Sequence, residues 1–367
     1  MLSSRRPFRS ALSLLALATL AACAGGGSAS LTPSTSASDT ARLPQITAKS
    51  APIPAAAAVA AVTPTLYVSG QGTVYTYPLG AMNNDPPTAA LGSEYNGADG
   101  TAVAGIATDR KGTLYVLVNY GSLTAGGPGC KVVSYPFGSP TGTPSQLAYR
   151  CAPDVFYAAG ISSGPNGEID VLDTIDNAGN TGFQVERFFP NGTQFATSRL
   201  KLPSGRHYGG IGAGAAGNLF VAYNGNPAHV DKYAPLATGI AAPSAGSDLP
   251  NANDVLAISS GRGNVYISIG TTTPGPFNTQ AAVYKGPPNL SSPPNQWAAT
   301  SGYPSSRYLG PTAVDQSGLL YIADVFVGSG CQVEVFNSAD TQVRTLSSPV
   351  RRGNPTGAII TGIAIAQ

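Results

Sequence analysis

Gly105-Ile106-Ala107-Thr108-Asp109-Arg110-Lys111-Gly112-Thr113-Leu114-Tyr115-Val116 reads as two short β-strands around a polar turn that closes on a glycine. The pattern returns about every fifty residues. Gly160-Ile161 leads to Gly167-Glu168-Ile169-Asp170-Val171, Gly210-Ile211 to Gly217-Asn218-Leu219-Phe220-Val221, and Ala257-Ile258 to Gly263-Asn264-Val265-Tyr266-Ile267, a copy one residue shorter. Pro311-Thr312-Ala313 leads to Gly318-Leu319-Leu320-Tyr321-Ile322. A single small sheet cannot bury both of its faces, so a repeat of this length made only of strands must stack copies of itself. It predicts an all-β, six-bladed β-propeller of four-stranded blades.

Alternation and punctuation place four strands in the unit: an inner strand over 105–108, a second over 113–118, a third over 131–135 and a fourth over 146–150. The first segment of the domain, Thr65-Leu66-Tyr67-Val68 and Thr73-Val74-Tyr75-Thr76-Tyr77, reads as second and third strands without an inner one. Gly362-Ile363-Ala364-Ile365-Ala366 matches the inner-strand motif and then the chain ends. The C-terminal strand is therefore expected to complete the blade begun near residue 65 and leave no open edge.

Through its Gly-Ile-Ala-x-Asp and Gly-Asn/Thr-Leu-Tyr-Val pattern, residues 65 to 367 resemble the six-bladed NHL-repeat and gluconolactonase-like propellers. The resemblance implies a fold that serves peptide, protein and RNA binders as well as enzymes. The aspartate that ends the family's inner strand stands as Asp109 and Asp315, and is replaced by Gly164, Gly214 or a serine elsewhere. Gluconolactonase-like enzymes hold a divalent metal in the channel on carboxylate and amide oxygens. For that reading the oxygens on offer are Asp173, Asp254 and Asp324, with no residue-by-residue match to the family site.

Residues 1–22 have the plan of an export signal, with Arg5, Arg6 and Arg9 ahead of an apolar run from Ala11 to Ala18 that is too short to span a bilayer. Leu20-Ala21-Ala22-Cys23 resembles the bacterial lipobox, which implies acylation at Cys23; the alternative is ordinary cleavage after Ala22 that leaves a thiol. Ser4-Arg5-Arg6-Pro7-Phe8 also carries part of a twin-arginine signal. Residues 23–64, rich in Ala, Ser, Thr, Gly and Pro, have too little apolar bulk to offset chain entropy and are read as a flexible tether. Three of the twenty basic residues lie in the leader, which leaves seventeen against eighteen acidic ones. So balanced a chain has no electrostatic footprint for nucleic acid. The expectation is a monomer in the bacterial cell envelope, held at the membrane by its lipid.

Cys130 and Cys151 open and close a hairpin and are expected to face each other as a disulfide in an oxidising compartment. Cys331 has no evident partner in the sequence. Loops between blades and between second and third strands should share one rim of the channel, bringing Asp99, Tyr157, Arg206, His207, Tyr208, Asp254 and Tyr308 together with Asn119, Tyr120, Asp173, Asp176, Tyr223, Asn224, Asp324 and Phe326. Tyr, Asn and Asp suit sugars and polar peptides, although tight turns favour Asn and Asp for their own reasons. Of the two histidines, His207 is the one placed for acid–base work, while His229 falls on a third strand. The expectation is a non-catalytic binding or scaffolding module for a glycan, peptide or envelope protein, with no cofactor. The alternative is a metal-dependent lactonase-like hydrolase or streptogramin-lyase-like lyase, for which a divalent metal would be needed.

Overall fold

The computed structural model describes residues 64–70, 72–82, 85–91, 102–120, 129–137, 146–150, 155–177, 180–189, 194–272, 282–297, 300, 307–326, 330–348 and 360–367. The leader, Cys23, the tether up to residue 63, Asp99 and Cys151 lie outside them.

The described strands, in chain order, are β1 (Thr65–Ser69), β2 (Val74–Pro78), β3 (Ala89–Leu91), β4 (Ala102–Thr108), β5 (Leu114–Tyr120), β6 (Gly129–Tyr135), β7 (Gln146–Arg150) and β8 (Val155–Ser163). Next come β9 (Ile169–Asn177), β10 (Asn180–Phe188), β11 (Gln194–Lys201), β12 (His207–Ala213), β13 (Leu219–Asn224), β14 (Ala228–Tyr233), β15 (Ala245–Leu249) and β16 (Ala252–Gly261). The last eight are β17 (Asn264–Thr272), β18 (Ala282–Gly286), β19 (Asn295–Gln296), β20 (Arg307–Val314), β21 (Leu320–Phe326), β22 (Gly330–Phe336), β23 (Gln342–Ser348) and β24 (Gly362–Ala366). They form six four-stranded antiparallel sheets, and the inner strands β4, β8, β12, β16, β20 and β24 pack one against the next around a ring. This is a six-bladed β-propeller. Blade one is the composite sheet β24-β1-β2-β3, in which Val68 pairs with Ile363 and Leu66 with Ile365; blades two to six begin at β4, β8, β12, β16 and β20.

The recurring Gly-Ile pair is explained by how closely inner strands approach. Each isoleucine packs on the glycine of the preceding blade: Ile161 on Gly105, Ile211 on Gly160, Ile258 on Gly210 and Ile106 on Gly362. A Cβ on these glycines would lie 3.1, 3.1, 3.1 and 2.6 Å from the isoleucine. Where the next blade offers Thr312 instead, the preceding position is Ala257. Hydroxyls add a second latch, since Thr108 donates to the Ile365 carbonyl at 2.7 Å, Ser163 to Thr108 and Ser260 to Ala213, each reaching the equivalent residue one blade back. Among the described residues six clusters of buried apolar side chains fill the six interblade seams.

The repeat aspartate is a turn staple. Asp109 accepts the backbone N–H groups of Lys111 and Thr113 at 2.8 and 2.9 Å and the Tyr115 hydroxyl at 3.1 Å. Asp315 does the same for Leu319 (2.7 Å) and the Tyr321 hydroxyl (3.3 Å). In blade three the carboxylate comes from the other side of the turn: Glu168 accepts the Asn166 N–H at 2.9 Å and fills the space over Gly164. In blade four Gly214 faces Phe220, so the acid and its tyrosine hydroxyl are lost together. Blade five lost the acid at Gly261 but kept the tyrosine, and the buried Tyr266 hydroxyl has no hydrogen-bond partner among the described residues.

Five of the six inner strands start earlier than their motif, and β24 begins at its glycine. Those five run through a β-bulge just before the glycine position or its equivalent, with register shifts at Val103/Gly105, Ala158/Gly160, Tyr208/Gly210 and Leu309/Thr312 and three between Ala252 and Ala257. Tyr157, His207, Tyr208, Asp254 and Tyr308 therefore sit on strands and not in interblade loops. Likewise Asn119, Tyr120, Asp173, Asp176, Tyr223, Asn224, Asp324 and Phe326 lie on second strands. A bulge raises local twist and re-aims the residues ahead of it, which alternation alone does not reveal.

Candidate functional site

Antiparallel order places the beginnings of inner strands and the ends of second strands at one rim, and the tight turns that join them at the other. A cavity of about 540 Å³ runs along the channel, lined by inner-strand residues from Ala104, Ala159, Gly209 and Leu256 down to Asp109, Arg110, Pro165, Ala215, Gln316 and Gln367 at the turn end. Among the described residues, none of the rim candidates whose side chains are described lines it. Its walls are mainly glycine, alanine and isoleucine, and its two carboxylates, Asp109 and Asp315, hold turns.

The rim candidates divide by what they touch. Asn119 and Asn224 are blade clamps: Asn119 donates to the Ala158 carbonyl (2.9 Å) and accepts its N–H (3.0 Å), while Asn224 accepts the Val255 N–H (2.8 Å) and donates to Asp254 (2.7 Å). Burial pushes the Asp254 carboxyl above the ordinary carboxylate range, with the Asn224 bond opposing. Asp173 and Asp324 are fully buried. The amide of Gln332 donates to both Asp324 and Glu334, at 3.0 and 3.1 Å. Tyr120 lies against Gly129 on the neighbouring strand. Tyr157 and Tyr308 belong to blades three and six. Asp173, Asp254 and Asp324 thus stand in three different blades, and among the described residues no three His, Cys, Asp or Glu side chains are grouped as a metal ion would need.

Four candidates do converge, at the seam between blades three and four. The Arg206 guanidinium lies over the Tyr223 ring, 4.1 Å from its centroid, and its side chain is 38% exposed. Tyr208 meets Tyr223 edge-on at 5.4 Å, and Phe183 of blade three contacts both Tyr208 (5.1 Å) and the exposed His207 (6.3 Å). Burial pushes the Tyr208 hydroxyl upward, as it does that of Tyr223.

Three residues the sequence reading passed over complete the cluster. His229 stacks on Tyr223 with ring centroids 5.0 Å apart; its Nδ1 is 2.7 Å from the Asp248 carboxylate and its Nε2 is 3.2 Å from that of Asp231. The other oxygen of Asp231 lies 3.5 Å from Arg206. Hydrogen bonding to Asp231 raises the His229 imidazole above its ordinary value against the opposing effect of burial, and Asp248 adds to the rise. Gly246 makes room, since a Cβ there would fall 2.8 Å from both Asp231 and His229. A signal for this was present: His229-Val230-Asp231 holds the third-strand place of Gln184-Val185-Glu186 and Gln332-Val333-Glu334, so a polar-x-acidic pair recurs opposite Tyr223, Asp173 and Asp324. Chemically the cluster is a half-exposed cation and two histidines set on aromatic rings, edged by the well-exposed Asp248 carboxylate.

No protein-family model matches the chain, and no curated protein matches it. Among solved structures the chain is similar to a protein of unknown function from Bacteroides caccae, with a TM-score of 0.57 and 12% identity over 83% of this chain and 99% of that one. It is also similar to a chain of a nidogen/laminin complex, with a TM-score of 0.52 and 15% identity over 83% of this chain and 98% of that one. At such identities the likeness is one of fold.

Proposed function

We propose that the protein is a lipid-anchored, extracytoplasmic propeller that binds a glycan, peptide or protein ligand, without catalysis, at the seam of blades three and four. The observation that carries this reading is the Arg206–Tyr223 pair: a half-exposed guanidinium braced on an aromatic face, with His207 and Asp248 exposed beside it. Braced cations and aromatic neighbours recognise carboxylates, sulfates and peptide polar groups with little ordering cost. The nidogen/laminin likeness supplies an example of this architecture crystallised in a protein–protein complex. The anchor rests on the leader and on Cys23 in its lipobox-like setting.

Two measurements test it. Mass spectrometry of the protein from membranes should find acylation at Cys23 that C23S removes. A glycan and peptide array should return saturable ligands whose binding falls at least tenfold in R206A, and ligands indifferent to R206A would refute the site.

A further inference from the structure

His229 offers something that neither the fold nor the binding reading requires. A neutral imidazole carries one N–H, yet both ring nitrogens here face carboxylates, at 2.7 Å (Asp248) and 3.2 Å (Asp231). Only the doubly protonated ring donates to both, and a neutral ring must set a lone pair against one carboxylate. The titratable and charged groups of the cluster are Asp231 and Tyr233 on its own strand β14, Asp248 on β15, Tyr223 on β13, Tyr208 on β12 and Arg206 just ahead of it, and of these Asp231 and Asp248 act on the imidazole directly. In this set Arg206 and protonated His229 balance Asp231 and Asp248. Loss of the imidazolium proton leaves one net negative charge beside the ligand-facing guanidinium, and frees Asp231 to draw on Arg206 alone.

We propose that His229 is a proton-operated regulator of this rim: the Asp248–His229–Asp231 bridge, closed when the ring is charged, keeps Arg206 seated on Tyr223 and available to an acidic ligand, and deprotonation weakens that binding. The ligand half rests on the proposed binding function, whereas the protonation half stands on geometry alone. Strand pairing fixes the geometry: His229 is registered opposite Asp248 and Asp231 opposite Gly246, so the carboxylates reach the ring from two strands.

Long-range ¹H–¹⁵N spectra across a pH titration test it. The chain has two histidines, so H207Q assigns the His229 signals. At neutral pH both nitrogens of His229 should appear protonated, with a midpoint above that of an ordinary imidazole. D248N should shift the midpoint downward and abolish the doubly protonated signal at neutral pH. Asp248 is 67% exposed, so that variant keeps the fold. A single neutral tautomer in the wild-type protein, or a midpoint indifferent to D248N, overturns the proposal without touching the binding function. For ligands from the array, Arg206-dependent affinity should fall as pH rises through the His229 midpoint, and D248N should move that fall to lower pH. Affinity flat across the midpoint overturns the regulatory half even where the ring titrates as expected.

Discussion

Removing one hydroxyl from each of two equivalent tyrosines should have opposite effects. Tyr115 and Tyr266 hold the same place in blades two and five, both rings are buried, and both follow the tight turn of their blade. The Tyr115 hydroxyl donates to Asp109 at 3.1 Å, in a bond to a charged acceptor that also organises the turn. Bonds to charged groups contribute about 1.5–3 kcal/mol, but Asp109 is part-exposed and keeps its two backbone donors, so Y115F should cost about 1–1.5 kcal/mol. The Tyr266 hydroxyl is buried without a partner among the described residues. Replacing it with a C–H removes a desolvated polar group, so Y266F should raise stability by up to about 1 kcal/mol. Equilibrium urea unfolding of the three proteins decides the matter. The midpoint should move down for Y115F and up for Y266F, with an unchanged denaturant slope. Equal losses in the two variants would mean that the hydroxyl serves ring packing generally, and the turn-staple account would be wrong.

Among the inner-strand glycines that carry the next blade's isoleucine, Gly362 should tolerate added bulk least. G362A sets a methyl 2.6 Å from Ile106 and 2.9 Å from its backbone nitrogen, whereas G160A meets one movable methyl at 3.1 Å; thermal unfolding should show a loss of about 1–3 kcal/mol for the first and less for the second. His229 makes stability depend on pH. Its folded-state value is raised, so its contribution is full below the unfolded imidazole value and is lost as pH rises through the folded one. The stability gap between wild type and H229Q should therefore narrow as pH rises from the ordinary imidazole range through the raised folded-state midpoint, and a gap that widens contradicts the assignment. The sequence expects a disulfide between Cys130 and Cys151. Non-reducing peptide mapping should recover the 130–151 link, and reduction should lower the unfolding midpoint by an amount corresponding to about 3 kcal/mol.

Much of the fold was legible because a propeller writes its periodicity into the chain. Glycine before isoleucine, a turn ending in glycine and an alternating run mark each inner hairpin, and the inner-strand motif at 362–366 had no blade to join except the one lacking it. The candidate site was less legible. Alternation assigns residues to strand faces, but the bulges before Gly105, Gly160 and Gly210 shift that count, so His207 and Tyr208 read as loop and prove to be strand. Asn119 and Asn224 looked like ligand-facing amides, and only the neighbouring blade reveals that they hold backbone. His229 was set aside as a strand residue, although its spacing from Asp231 repeats in two other blades.

Local order along the chain determined the architecture: strand length, turn chemistry and the place where the repeat is cut are short-range properties, and stacking six incomplete sheets has one economical closed solution. What the tertiary structure alone decided is which polar groups meet. Arg206, Tyr223, His229 and Asp248 are spread over more than forty residues and four backbone segments. Their contacts depend on strand register within blade four, and the hydrogen bonds among them weaken over a few tenths of an ångström.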